Sequence, residues 1–166
     1  MRVAAALLLL SGCAHQQVTP PVRAQSAAFA IPRDHAGAAE WDPVKVEGKV
    51  LAVIFVATWC FPCLTELGVM EKLQAELGPS GMVTVAVGMD LEGHKVLDPF
   101  AQAMPSPIPL VVADEALRKG DSPYGPVREL PARFLFARDG KLLKAWTGAS
   151  DPARLRELMQ DALQEK

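Results

Sequence analysis

The sequence predicts a single α/β domain in which helices cover both faces of a mixed central β-sheet. Two observations support this fold class. Apolar, β-branched runs typical of strands buried on both faces occur at residues 50–57, 82–87 and 110–113. Helical patterns separate these runs, over residues 63–77 and 94–103, and such alternation is typical of strands joined by helices.

The last third of the chain predicts a β-hairpin followed by a helix. Residues 132–137 and 141–148 have strand patterns, and the Asp-Gly dipeptide between them favours a hairpin turn. Asp151 and Pro152 suit the N-cap and the first position of a final helix, whose apolar residues form one stripe. This order of elements completes a mixed sheet, because hairpin strands are antiparallel.

Residues 1–12 have the features of an export signal. Arg2 gives a positive start, residues 3–10 are apolar, and Ser11-Gly12 supplies small residues before Cys13. The apolar run is far shorter than the about 20 residues that a bilayer span requires. A cleaved signal therefore explains this segment better than a membrane helix does.

The string LSGC at residues 10–13 resembles the bacterial lipoprotein box, in which the cysteine is lipidated and becomes the first mature residue. This resemblance implies that Cys13 is a lipidation site; the alternative is an ordinary secretory signal with a chance cysteine. Polar residues 13–28 then form a tether, and residues 29–166 form the domain. Weaker signals predict an edge strand at residues 29–31 and a turn at residues 41–43.

Charge and cysteine count narrow the functional classes. The formal net charge is −2 and the chain has no basic run with interleaved aromatic residues, so we expect no nucleic-acid partner. Three cysteines are an odd number, which needs explaining in an exported protein. If Cys13 carries lipid, Cys60 and Cys63 remain as a pair. Export places that pair in a compartment where disulfides can form.

The motif Cys60-Phe61-Pro62-Cys63 lies where a buried strand is followed by a helix. The unpaired N–H groups and the dipole of a helix start favour an anion, and a thiolate is the attacking species in disulfide exchange. Cys63 lies one helical turn further along the same face, so the two sulfurs can close a ring. Pro62 fits the first turn, where its missing N–H would have no partner.

Two other interpretations of the cysteines remain. One is a pair of buried, inert cysteines. The other is a metal site, but zinc usually takes four ligands and the three histidines, His15, His35 and His94, have no ligand-like spacing. We therefore predict no metal site and no dissociable cofactor, although copper(I) could use the two sulfurs alone.

The segment GKVLAVIFVATWCFPCLTEL, residues 48–67, resembles thioredoxin-like proteins of the TlpA and ResA type. The similarity continues through VTVAVGMDLE and PLVVADEAL to YGPVRELPARFLFARDGKLLKAWTG, and it covers about residues 48–163. A CxxC motif alone is a weak signal. Here the CxxC motif follows a buried strand and a tryptophan, and a proline-led strand and a DGK hairpin come further on. This combination is specific to the family.

The resemblance implies a thioredoxin-like fold and a thiol–disulfide oxidoreductase, with Cys60 as nucleophile and Cys63 as resolving thiol. It places Pro131 at the family's cis-proline, so that the backbone of Leu130 can pair with a substrate peptide, and Trp59 beside the redox pair. It further implies a disulfide-bearing protein substrate in the cell envelope and a membrane electron donor. Together with the lipoprotein box at Cys13, we expect a monomeric, lipid-anchored protein on the extracytoplasmic or periplasmic side.

Glu66 matches a glutamate found three residues after the second cysteine in proteins of this type. Because Cys63 and Glu66 are three apart on one helix, they share a face. We expect the carboxylate to oppose a thiolate at Cys63 weakly, screened by solvent, and to accept the Cys63 proton during product release. The alternative is an ordinary solvated helix residue.

The chain departs from its relatives at several positions. Thioredoxin proper has a buried aspartate where this chain has Ile54, many relatives have a proline at Gly68, and an aromatic residue is common at Val56. A disulfide oxidase or isomerase would use the same cysteines, and a copper-binding chaperone is the alternative from another class. A peroxidase of the peroxiredoxin group is disfavoured, because Ala57 stands where those enzymes have threonine.

Overall fold

The computed structural model describes residue 28 and residues 30–165, which contain a six-stranded sheet in the order β1-β4-β3-β2-β5-β6. β2, β3 and β4 are parallel, whereas β1, β5 and β6 each run antiparallel to a neighbour. The predicted mixed sheet is confirmed. The strands are β1 (His35–Ala36), β2 (Val50–Val56), β3 (Met82–Gly88), β4 (Leu110–Val112), β5 (Ala132–Phe136) and β6 (Leu142–Thr147).

Helices lie on both faces of the sheet, as predicted, but unequally. The helices are α1 (Phe61–Leu77), α2 (His94–Ala103), α3 (Glu115–Lys119) and α4 (Pro152–Gln164). Apolar side chains of α1, α2 and α4 pack in one core cluster, which we call the first core. The opposite face, the second core, is covered by α3, Tyr124 and the segment that includes Ile31 and Trp41.

Two short elements differ from the sequence-based expectation. The predicted edge strand at residues 29–31 is wrong: the edge strand is β1, where His35 pairs with Val111, while Ile31 is buried outside the sheet and Phe29 lies outside the described residues. Helix α3 was not expected, because five residues are too few to show a helical period. Its start is nevertheless encoded locally, since the Asp114 side chain accepts a hydrogen bond from the Leu117 N–H at 2.9 Å.

The strand register brings three chain segments to one end of the sheet. Val56 pairs with Gly88 in the parallel β2–β3 ladder, and Phe55 pairs with Ala132 in the antiparallel β2–β5 ladder. The residues that follow β2, those that follow β3 and those that precede β5 therefore lie side by side. All predicted site residues of the domain except Glu66 belong to these segments or to the first turn of α1.

The N-terminal predictions fall on residues that the structure does not describe. The export signal at residues 1–12, Cys13 and the tether up to residue 27 lie outside the described residues. Ala28, at the expected end of the tether, is buried in the second core. In the described part of the chain, no helix has the length and apolar character needed to cross a membrane.

The imidazole of His94 connects α2 to the segment before β1. Its Nδ1 lies 2.9 Å from a carboxylate oxygen of Asp98, and its Nε2 lies 3.0 Å from the carboxylate of Asp34. The hydrogen bond with Asp98 first, and that with Asp34 second, raise the pKa of His94 above its ordinary value of 6.5. The bridge is therefore strongest when the imidazole is protonated.

We predict that His94→Gln lowers the free energy of unfolding only at low pH. Because the folded-state pKa is raised, the stabilisation is complete below pH 6.5 and disappears as the pH rises through the folded-state value. The groups are partly exposed, so the loss should not exceed about 1 kcal/mol. Urea unfolding of the unsubstituted protein and of His94→Gln at several pH values measures this loss in the free energy of unfolding, and Lys95→Gln serves as a control. An equal loss at pH 5 and pH 9 would contradict the prediction.

Candidate active site

Cys60 and Cys63 form a disulfide at the junction of β2 and α1. The sulfurs are 2.04 Å apart and the Cα atoms 5.2 Å apart. Cys60 is the N-cap of α1, and its sulfur accepts a hydrogen bond from the Cys63 N–H at 3.3 Å. The helix thus begins at Phe61, two residues earlier than expected. Cys63 is fully buried, and Cys60 is 6% exposed.

The loop before Cys60 is fixed by Asp90, a buried residue that follows β3. The Asp90 carboxylate accepts hydrogen bonds from the Thr58 N–H at 3.1 Å and from the Thr58 hydroxyl at 2.5 Å. Arg118 donates to the Asp90 carbonyl oxygen at 3.3 Å. Sequence analysis did not single out Asp90. Its signal was an acidic residue directly after a buried strand, at the sheet end where the cysteines lie.

Exposed apolar side chains flank the disulfide in the chain. Trp59 is 74% exposed and Phe61 is 78% exposed, one on either side of Cys60, and Leu91, which follows Asp90, is 82% exposed. Large apolar groups left in water beside a reactive group are typical of contact surfaces for other proteins. Trp59 is thus exposed next to Cys60, and its role in binding substrate stays a prediction.

Leu130 and Pro131 lie at the same end of the sheet as the disulfide. The Leu130–Pro131 peptide bond is cis, as the family resemblance implied. Because Phe55 pairs with Ala132, the two residues extend past the β2–β5 ladder, next to the end of β2 that leads to Cys60. Leu130 is half-buried and lies outside the strands.

Glu66 is buried, so it is neither screened by solvent, as we expected, nor the solvated helix residue of the alternative interpretation. It is 4% exposed, and its carboxylate forms a two-point ion pair with Arg133, which is 2% exposed. The Nη2 atom of Arg133 also donates to the Gly148 carbonyl oxygen at 2.8 Å. The expected screening by solvent is therefore wrong, because a buried guanidinium, rather than water, compensates the carboxylate.

Arg133 reaches Glu66 because of its place in β5. Side chains alternate between sheet faces, so Arg133 points, with Leu135, into the first core, where α1 lies. Its strand neighbours are Ile54 on β2 and Trp146 on β6, whose ring centroid lies 5.4 Å from the guanidinium carbon. Burial lowers the pKa of Arg133 to about 10, which leaves it charged at neutral pH. The missed signal was a charged residue within an apolar strand.

The described residues give no separate metal site. Within residues 30–165, no cluster of three or more His, Cys, Asp or Glu side chains could hold an ion. The chemistry available at this end of the sheet therefore centres on two sulfurs, a buried ion pair and an exposed apolar surface.

Comparison with known proteins identifies the family and supports the fold. A model of the AhpC/TSA family matches residues 20–145, more than half of the chain. The chain belongs to the AhpC/TSA family. The thiol-disulfide oxidoreductase ResA of Halalkalibacterium halodurans is 30% identical over 119 residues, which cover 70% of this chain and 64% of that protein. ResA of Oceanobacillus iheyensis is 29% identical over 116 residues, 70% of this chain and 58% of that protein.

This AhpC/TSA family member thus spans less than two thirds of the length of those curated relatives. Solved structures support the fold. A Chlorobium tepidum protein assigned as the thiol:disulfide interchange protein DsbE has a TM-score of 0.66 at 25% identity, covering 78% of this chain and 91% of that one. A thioredoxin family protein of the same organism has a TM-score of 0.64 at 21% identity, covering 80% and 97%. The thioredoxin-like fold is confirmed.

We predict that Arg133→Met destabilises the folded protein by about 3–5 kcal/mol, because it leaves the Glu66 carboxylate buried without a partner. The double variant Glu66→Leu/Arg133→Met removes both charges and should recover most of that loss. Urea unfolding of the oxidised proteins measures both values. A double variant no more stable than Arg133→Met would show that the ion pair is not what the single substitution disrupts.

Proposed function

We propose that this protein is a thiol–disulfide oxidoreductase of the cell envelope that reduces protein disulfides through Cys60 and Cys63. The observation that carries the proposal is the disulfide at the start of α1, where the exposed aromatic side chains of Trp59 and Phe61 adjoin Cys60 in the chain. The relatives named thiol-disulfide oxidoreductase support it. No dissociable cofactor takes part, because the two sulfurs carry the electrons.

In the first step, the reduced protein attacks its substrate. The helix start favours the thiolate of Cys60, whose electron pair forms a bond to one substrate sulfur. The substrate S–S bond breaks, and the departing sulfur takes the electron pair and then a proton from water. Cys60 is thereby joined to the substrate in a mixed disulfide.

In the second step, Cys63 releases the substrate. The Cys63 thiol gives its proton to Glu66 or to water, and its sulfur attacks Cys60. The mixed disulfide breaks, the second substrate sulfur leaves as a thiolate, and the Cys60–Cys63 disulfide seen in the structure forms. Glu66 lies one turn from Cys63 on α1, and Arg133 binds both of its carboxylate oxygens, so accepting a proton requires one of these contacts to break. A dithiol electron donor in the membrane then reduces the protein again.

The surface around Cys60 fits an extended polypeptide as substrate. Trp59 offers an exposed apolar surface on one side. Leu130, beyond the end of the β2–β5 ladder, offers a backbone edge with which a substrate strand can pair. We infer from the family resemblance that Pro131 lines the same part of the substrate site. A disulfide in an unfolded or flexible segment could then approach Cys60.

We predict that Cys63→Ser accumulates mixed disulfides with a model disulfide protein and that Cys60→Ser does not. Without Cys63 the first step proceeds and the second cannot, whereas without Cys60 the first step fails. Non-reducing gels after acid quenching measure the adducts, and thermal unfolding confirms that both variants fold. Adducts on Cys60→Ser alone would reverse the assignment of nucleophile and resolving thiol.

The copper-chaperone alternative has its own test. It would be favoured if the reduced protein reduced no disulfide and bound copper(I) stoichiometrically.

We propose further that the protein is anchored by lipid at Cys13 on the extracytoplasmic side of a bacterial membrane. The support is the sequence LSGC behind a short apolar segment. A single acyl chain holds a protein only marginally, so stable anchoring requires more than one chain.

We predict that Cys13→Ser releases the protein from the membrane fraction and leaves disulfide reduction unchanged, since Cys13 lies outside the redox domain. Fractionation of cells that express each full-length chain measures release, and labelled fatty acid reports lipidation. Cys63→Ser, which keeps Cys13, serves as the control that must remain with the membrane. A Cys13→Ser protein that still sediments wholly with membranes would overturn the anchoring proposal.

A further inference from the structure

The guanidinium of Arg133 is a buried charge close to the redox helix, and the exchange steps above give it no task. It binds the Glu66 carboxylate through Nε and Nη2, and Nη2 also donates to the Gly148 carbonyl oxygen. The Trp146 ring lies against it at 5.4 Å. Its Nη1 atom is buried and has no hydrogen-bond acceptor among the described residues. Arg133 is thus held firmly, with its charge directed at α1.

Cys63 lies on the same helix as Glu66, which binds Arg133. Cys63 and Glu66 are three residues apart on α1, which places their Cβ atoms about 5–6 Å apart on one helix face. Both residues are almost entirely buried, so water does little to screen charges between them. A lone Glu66 anion would oppose a thiolate on Cys63, and a lone Arg133 cation would favour one. Together they nearly cancel.

Asp90 and Lys144 are two other charged groups in this part of the protein. Asp90 is buried at the same end of the sheet, but its carboxylate binds the Thr58 N–H and hydroxyl in the loop before Cys60. Lys144 is exposed and lies 5.6 Å from the Trp146 ring centroid. Both groups are unchanged in the variants used below, so a difference in the Cys63 pKa between those variants reports on the ion pair.

We propose that Arg133 is a positioning residue: it holds Glu66 as a fixed, charge-compensated anion beside Cys63 and so determines how readily Cys63 gives up its proton. The inference rests on the proposed function in assigning Cys63 to the release step. Without Arg133, Glu66 would either hinder that step as an uncompensated anion or take up a proton and lose its capacity as a base.

The test is a titration of the Cys63 thiol in the full chain carrying Cys13→Ser and Cys60→Ser, so that one thiol remains. Thiolate absorbance is followed against pH for this parent and for Glu66→Gln, Arg133→Met, Arg133→Lys and Glu66→Gln/Arg133→Met. Arg133→Lys keeps the charge and serves as the conservative control. Thermal unfolding of each variant is recorded in parallel.

We expect the single substitutions to shift the Cys63 pKa in opposite directions. Glu66→Gln should lower the pKa and Arg133→Met should raise it, each by about one unit, or about tenfold in thiolate at a given pH. The double variant should return close to the parent, and Arg133→Lys should stay nearer to the parent than Arg133→Met does. Opposite shifts of the Cys63 pKa that cancel in the double variant indicate an effect of charge, since a purely structural effect would not depend on the sign of the charge removed.

Two results would overturn the proposal. One is a folded Arg133→Met protein with the parent's Cys63 pKa. The other is a double variant that keeps the lowered pKa of Glu66→Gln, because removal of the Arg133 charge would then have had no effect. This second comparison decides the question even if Arg133→Met alone does not fold, since the double variant has no uncompensated buried charge.

A kinetic experiment links the titration to the release step. With Cys60 restored, resolution of a preformed mixed disulfide should be about tenfold slower in Arg133→Met at neutral pH, with the difference shrinking as the pH rises above the Cys63 pKa. The same slowing at every pH would count against the proposal. If the unmodified protein reduces no disulfide, the proposed function fails, while the thiol titration still decides the role of Arg133.

Discussion

Strand β2 has a hydrogen-bonded neighbour on each side, and these two pairings determine where the site residues lie. The parallel ladder with β3 brings Asp90 beside Thr58, so that the loop before Cys60 is tied down by a buried carboxylate. The antiparallel ladder with β5 brings Leu130 and Pro131 to the same end. A shift of one residue in either register would turn inward side chains outward and separate these groups. The chemistry depends on a buried ladder rather than on the loops themselves.

The same β2–β5 register explains the buried ion pair. It sets Arg133 opposite Ile54, on the sheet face that α1 covers, and the first core fixes the rotation of α1 through Leu67, Met70 and Leu73. Glu66 then meets Arg133 inside the protein rather than at its surface. Since both groups have lost water, neither charge could persist here without the other.

Local sequence patterns predicted most of the fold and the pairing of Cys60 with Cys63 at a helix start. β2 and β3 are continuous apolar runs, and Asp151 with Pro152 places the start of α4 correctly, because these signals lie within a few neighbouring residues. β1 has two residues and α3 has five, too few for a period to show. The pairs Thr58–Asp90 and Glu66–Arg133 join residues 32 and 67 positions apart, and only the packed sheet brings them together.

The ion pair is hard to explain by stability alone. Replacing a buried ion pair with apolar side chains of similar volume often leaves stability unchanged or improves it, because removing two charges from water is costly. Thioredoxin proper has a buried carboxylate at the position of Ile54, on the strand before the cysteines. Here the buried carboxylate belongs to α1 and comes with its own cation on β5. A carboxylate near a redox sulfur opposes formation of the thiolate, and a fixed cation offsets that effect. Chemistry at Cys63 therefore explains the pair better than folding does.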